Sequence, residues 1–177
     1  MTEGDGESAP RPTGKGAKAR GARTRGRIFA LQMVYSFEQN RYQSGVNLVP
    51  EDDFADLEPE AKAFAQTLFD GFSAQRPAID AAIDQRLENW TLGRLAVIDR
   101  ALMRLGAYEL LYTPDTPPKV AINEYIELAK QYGTEAKTAR LVNGVLDRIA
   151  RDHRADEVAP RADAKGPRPE VPPIPLA

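Results

Sequence analysis

The apolar residues of this chain recur at intervals of three and four positions, and this spacing constrains the fold more than any other sequence feature. Such spacing places apolar side chains on one face of an α-helix. It runs through residues 28–37, 61–72, 91–112 and 120–129. No segment alternates apolar and polar residues over the length of a strand, which argues against a sheet. The sequence therefore predicts an all-α fold.

Proline and glycine mark the expected boundaries of these helices. Pro77 is expected to open a new helix, and the prolines of residues 113–118 are expected to end one. Gly133 is a plausible C-cap. Asn143 and Gly144 lie inside an otherwise helical segment, where glycine costs about 1 kcal/mol relative to alanine. We interpret this dipeptide as the site of a close helix crossing that needs a residue without a Cβ atom.

Charge and proline divide the chain into three parts, although its 177 residues carry a formal net charge of only −2. Residues 1–26 hold six basic and three acidic side chains, residues 27–152 hold 14 and 19, and residues 153–177 hold four of each. The two ends are also rich in proline, glycine and alanine and have little apolar surface to bury. We therefore predict a disordered basic arm over residues 1–22, a helical domain over residues 23–152, and a disordered proline-rich tail over residues 153–177.

Several classes of chemistry are disfavoured by composition. The chain has no cysteine and a single histidine, which excludes thiol nucleophiles and the common zinc sites. It also lacks the glycine-rich phosphate loops of nucleotide-binding enzymes. We expect a protein that is not an enzyme and has neither metal nor cofactor. The absence of a long apolar run further predicts a cytoplasmic protein without a membrane segment.

The basic arm is the candidate binding element. Arg20, Arg23, Arg25 and Arg27 are two or three residues apart and lead into the first helix, with Arg27 expected as its first residue. Arginine pairs bidentately with phosphate and stacks on bases, and arginine-rich arms often fold on RNA. The alternative is a tail that only increases solubility. Composition alone favours nucleic acid.

Four runs of residues resemble the NusB family. They are R-x-R-x-x-A-L-Q-x-x-Y, D-R-A-L-M-R-L-G-A-Y-E-L, P-x-K-V-A-I-N-E-x-I-E-L-A-K-x-Y-G and V-N-G-V-L-D, beginning at Arg25, Asp99, Pro117 and Val142. They occur in the order in which the family has them and cover most of residues 23–151.

The resemblance implies both a fold and a function. The fold is a NusB-like helical bundle of about seven helices in two subdomains. The function is that of a transcription antitermination factor, which binds boxA RNA of rRNA operons together with the ribosomal protein NusE. This complex helps RNA polymerase resist termination, without a catalytic step or a cofactor.

The resemblance also implies roles for individual residues. Tyr35 and Asp99 match positions at the NusE interface, where several members have Glu in place of Asp99. Leu141 stands where the family has Phe, which removes a stacking face. The stretch before V-N-G is one residue longer than usual. With Arg20 of the arm, the predicted RNA-binding residues are Arg20, Arg23, Arg25, Arg27, Arg104, Arg140 and Leu141.

Two other interpretations remain open from the sequence. NusB-like domains also occur in some rRNA methyltransferases, so the chain could instead serve as an accessory module in rRNA processing or modification. A homodimer that covers the RNA surface is a second arrangement. The sequence does not distinguish a monomer from this dimer.

Overall fold

The computed structural model describes residues 21–39 and 55–158. Within these residues the chain forms five α-helices, two single-turn 3₁₀ helices and no strand, which confirms the all-α class. The predicted arm up to residue 20 and the tail from residue 159 lie outside the described residues. The helices are α1 (Ala22–Gln39), α2 (Pro59–Asp84), α3 (Val97–Tyr112), α4 (Pro118–Tyr132) and α5 (Thr138–His153), and the 3₁₀ helices are Leu92–Arg94 and Ala155–Glu157.

Helix α3 is the centre of the fold. All residues from 101 to 110 are buried, including the fully buried Leu102 and Leu105. The helix contacts each of the other four, while α1 packs mainly on α2 and α4 packs mainly on α5. Each fully buried leucine contributes about 1.5–3 kcal/mol to stability. Two helix pairs thus share one buried helix, in agreement with the expected two-part bundle.

A close helix crossing occurs at Gly106, but not at Gly144 as the sequence suggested. A Cβ atom on Gly106 would lie 2.6 Å from Cδ1 of Leu146, so α3 and α5 approach each other through the missing side chain. Gly144 is exposed, and a Cβ atom there would meet nothing within 4 Å. The prediction of a crossing at Gly144 was wrong. A glycine in a helix permits another helix to approach closely, but the sequence does not show whether its face of the helix is covered.

Pro77 does not open a separate helix. It lies inside α2, which runs without interruption from Pro59 to Asp84. Proline in a helix interior costs about 3 kcal/mol because it removes one backbone hydrogen bond. The apolar face nevertheless continues across it, with Phe72, Ile79 and Ile83 all fully buried. Burial on both sides of Pro77 therefore offsets the local cost and keeps a single helix.

Helix α1 begins at Ala22, five residues before the expected start at Arg27. The Arg25 amide donates to the Gly21 carbonyl at 3.1 Å, which forms the first turn. Gly26 allows that turn to approach α2, since a Cβ atom there would lie 2.8 Å from the Phe64 ring. The end of the basic arm is therefore a packed part of the helical domain.

Candidate nucleic-acid interface

Arg23 is the one predicted RNA-binding arginine of α1 that is exposed. Its guanidinium lies over the Phe64 ring, 5.1 Å from the ring centroid. A cation–π contact at an exposed site contributes about 0.5–1 kcal/mol, so it holds the side chain without removing it from solvent. Arg23 is thus oriented and still available to a phosphate. Arg20 lies outside the described residues.

Arg27 is buried in the core, so it is not available to RNA in this structure. Its Nε and Nη2 atoms donate to the two carboxylate oxygens of Glu109 at 2.8 and 2.7 Å. The Tyr125 hydroxyl donates to the same carboxylate at 2.6 Å. Glu109 is fully buried and needs a compensating positive charge. Arg27 supplies that charge, and its predicted RNA contact would require this pair to open.

Electrostatics in this cluster follow from burial. Burial alone would lower the pKa of Arg27, but the hydrogen bonds and charge of Glu109 outweigh it, so the pKa is raised. Burial, together with the charge of Glu109, raises the pKa of Tyr125 well above its usual value. Both groups keep their protons at neutral pH, so Arg27 stays positively charged and the Tyr125 hydroxyl stays neutral.

Arg25 and Arg104 are also largely buried and paired. Arg25 is 8% exposed and forms an ion pair with Glu58. Arg104 is 6% exposed and donates to both oxygens of Asp80, at 2.8 and 2.9 Å, and to Glu38. Their guanidinium groups join α1, α2 and α3 to one another. Both residues therefore hold helices together in the folded protein, and direct RNA binding would have to break their ion pairs.

Arg140 and Leu141 lie in the first turn of α5. Arg140 is exposed and forms no ion pair within the described part of the chain. Leu141 is half-buried and packs against the core cluster, so only part of its surface faces solvent. Arg140 is available to a phosphate, whereas Leu141 mainly packs α5 against the core.

The two predicted NusE-binding residues differ in accessibility. Tyr35 is half-buried on α1. Asp99, in the first turn of α3, is 7% exposed, and its carboxylate accepts hydrogen bonds from the backbone N–H and the hydroxyl of Thr134. Tyr35 can contribute its exposed part to a partner surface, whereas both oxygens of Asp99 already have donors within the chain.

The carboxylates that hold these arginines were missed by the sequence analysis. Glu109 is flanked by apolar residues in the run L-G-A-Y-E-L-L-Y, and a lone acid in such a run is a signal for a buried, paired charge. Glu38 and Asp80 lie in ordinary amphipathic helices and carry no comparable signal. Sequence spacing identified the arginines as a set but gave no information on which had internal partners.

The described residues also contain no group of three or more histidine, aspartate or glutamate side chains arranged to hold a metal ion. None of their helices combines the length and apolar character needed to cross a bilayer.

The helix order and the charged core define this protein as an all-α bundle in which two helix pairs share one buried helix. Residues 24–151 match the model of the NusB family. Transcription antitermination protein NusB from Myxococcus xanthus is 42% identical over 136 residues, covering 73% of this chain and 95% of the relative. Its counterpart from Geobacter sulfurreducens is 42% identical over 135 residues, covering 73% and 94%. The chain belongs to the NusB family.

Solved structures give the same result for the fold. NusB from T. maritima has a TM-score of 0.65 and 36% identity, covering 74% of this chain and 92% of that one. A chain in a crystal structure of the antitermination factors NusB and NusE in complex with dsRNA has a TM-score of 0.65 and 26% identity, covering 74% and 97%. Almost the whole of each solved chain thus has a counterpart here.

Proposed function

We propose that this protein is a cytoplasmic transcription antitermination factor that binds boxA-type RNA of rRNA operons together with NusE. It acts in the antitermination complex of RNA polymerase through binding alone, without a cofactor or a catalytic step. The observation that carries the proposal is the family match over residues 24–151, combined with near-complete coverage of a NusB chain solved with NusE and dsRNA.

The RNA surface is built from the exposed subset of the predicted residues. Arg23 and Arg140 are exposed arginines at the starts of α1 and α5. Arg20 extends the basic arm beyond the described residues. Helix α1, which carries Arg23, is held to α2 and α3 by the ion pairs of the buried Arg25, Arg27 and Arg104. An RNA that uses only the exposed set makes few phosphate contacts with the helical domain, so the arm supplies much of the affinity.

The acidic body is suited to a basic ribosomal protein. Residues 27–152 carry a formal charge of −5, from 14 basic and 19 acidic side chains. Complementary charge accelerates association and disfavours wrong partners more than it adds affinity. Tyr35 is the predicted NusE contact with exposed surface. NusE association should therefore slow as salt is raised, since screening weakens this attraction.

The test measures binding of a synthetic boxA RNA to the full chain, with and without NusE, over a range of salt concentrations. Arg23→Ala and Arg140→Ala should each weaken binding and reduce the slope of log affinity against log salt by about 0.7, the value for one single-strand phosphate contact. Removal of residues 1–20 should reduce the slope further.

Arg94→Ala provides the matched control, since Arg94 is an exposed arginine of the first 3₁₀ helix that lies outside the predicted set. It should change neither the slope nor the effect of NusE. Equal effects of all three arginine substitutions would indicate nonspecific attraction and contradict the proposal. The same conclusion would follow if NusE failed to increase RNA affinity.

A further inference from the structure

Asp99 binds the turn that leads into α5. The backbone N–H of Thr134 donates to Oδ1 of Asp99 at 3.0 Å, and the Thr134 hydroxyl donates to Oδ2 at 2.5 Å. Asp99 is 7% exposed whereas Thr134 is exposed, so the carboxylate side of these bonds is shielded from water. Hydrogen bonds to a carboxylate are about twice as strong as neutral ones. A residue of α3 therefore fixes a turn 35 positions later in the chain.

The rest of the turn is equally constrained. The Thr138 amide donates to the Glu135 carbonyl at 3.0 Å, and the buried Thr138 hydroxyl accepts from the Glu135 amide at 3.3 Å. Gly133 is required for close approach, because a Cβ atom there would lie 2.9 Å from Cβ of Thr138 and closer still to a backbone carbonyl. Residues 133–138, which we name the α4–α5 turn, thus have one bonded arrangement anchored at Asp99.

The α4–α5 turn sets the position of Arg140. Thr138 is the first residue of α5, and Arg140 follows two residues later with an exposed guanidinium. The Leu141 amide donates to the Lys137 carbonyl at 3.0 Å, which continues the turn directly into the helix. A shift of the turn would therefore move the Arg140 backbone. A displacement of about 1 Å is enough to lose a well-aligned bidentate contact.

We propose that Asp99 is a positioning residue for RNA, which acts by holding the α4–α5 turn so that Arg140 meets the phosphate backbone. This inference rests on the proposed RNA-binding function and adds a second role to the predicted NusE contact of this carboxylate. Asp99 makes the RNA surface at the start of α5 dependent on the first turn of α3.

The direction in which Asp99→Ala changes RNA affinity distinguishes a positioning role of Asp99 from a simple charge effect. Asp99→Ala removes a negative charge, which by electrostatics alone would strengthen RNA binding. Loss of the turn should instead weaken it by about tenfold, a size typical of coupled neighbours. Asp84→Ala is the matched control, because it also removes a carboxylate that accepts a backbone N–H, here that of Leu92 at 2.9 Å. That control should bind RNA as tightly as the wild type or slightly more tightly.

A double-mutant cycle shows whether the effect passes through Arg140. Asp99→Ala should cost about tenfold in the wild-type background but less than about twofold when Arg140→Ala is already present. Additive losses would overturn the proposal, as would an Asp99→Ala protein that matches the Asp84→Ala control. If the wild type itself shows no salt-dependent binding to boxA RNA, the proposed function fails before the cycle is measured.

Substitutions at the other end of the bond keep the test independent of Asp99 itself. Thr134→Val removes the hydroxyl donor but retains the backbone N–H, so it should weaken RNA binding less than Asp99→Ala does. Thr134→Ser restores the hydroxyl and should bind as the wild type. Hydrogen exchange of the Thr134 amide should accelerate in folded Asp99→Ala protein. Unchanged protection of that amide, or Thr134→Val binding equal to wild type, would contradict the role of this bond.

Discussion

Replacement of Arg27 by methionine separates the buried-charge role of this residue from an RNA-contact role. Methionine keeps an unbranched apolar stem like that of arginine but lacks the guanidinium, so it cannot neutralise Glu109. The carboxylate, fully buried and bonded to Arg27 at 2.7 and 2.8 Å, would lose its charge partner. Because Arg27 is itself 2% exposed, little solvent is present to compensate. The expected result is a large loss of stability.

The size of this loss follows from the burial of both groups. Removal of one member of a buried ion pair costs about 3–5 kcal/mol, since it leaves an uncompensated charge. A domain of this size is stable by about 5–15 kcal/mol, so a loss of this size is a large fraction of the total and readily measured. The double variant Arg27→Met with Glu109→Gln removes both charges and keeps an acceptor for the Tyr125 hydroxyl. It should recover most of the lost free energy.

Urea unfolding followed by circular dichroism provides the measurement. With a slope of about 2 kcal/mol per molar urea, Arg27→Met should lower the midpoint by roughly 2 M. Arg23→Met, on the same helix but exposed, should change the free energy of unfolding by less than about 1 kcal/mol and weaken RNA binding instead. The reasoning fails if Arg27→Met leaves the midpoint nearly unchanged while RNA affinity falls, or if the double variant is no more stable than the single one.

Two further predictions concern the core. The raised pKa of Tyr125 implies that the unfolded state loses this proton first as pH rises past about 10, so the free energy of unfolding should fall there by up to about 1.4 kcal/mol per pH unit. Tyr125→Phe should reduce that slope in urea titrations at several pH values; an unchanged slope would contradict the assignment. Gly106→Ala should lower the melting temperature, because its Cβ would press on Leu146 and reduce the free energy of unfolding by about 1–3 kcal/mol. Gly144→Ala should raise the melting temperature, because alanine at an exposed helical position increases the free energy of unfolding by about 0.5–1 kcal/mol. Calorimetry giving the opposite order would refute the placement of the helix crossing.

Much of the architecture could be predicted because it depends on local periodicity. The spacing of apolar residues identified α3, whose Leu102 and Leu105 are fully buried as their positions implied. Gly133 was placed correctly at the end of α4, since a helix that ends before a tight turn needs a residue that permits close approach. The continuous helix through Pro77 was not predicted, because local preference is outweighed there by burial on both sides.

The candidate site was less predictable because accessibility is a property of the packed molecule. Arg23 and Arg27 are four residues apart on one helix and look equivalent in sequence. Both guanidinium groups lie over Phe64, but Arg23 is exposed, whereas Arg27 is buried against Glu109, 82 positions further along the chain. No local pattern distinguishes them, since residues four apart share one helix face and the difference arises from how far along that face the other helices cover α1.

The sequence by itself determined the all-α class, the separation of a basic arm from an acidic body, and the family to which the chain belongs. These features depend on residue type and spacing, which are fixed before folding. The tertiary structure decided which arginines remain free for a ligand and which neutralise buried carboxylates. It also gave the carboxylate of Asp99, a predicted NusE contact, hydrogen bonds from Thr134 in the α4–α5 turn. The role of a charged side chain depends on the folded structure, because burial determines whether the charge is solvated by water or paired with another side chain.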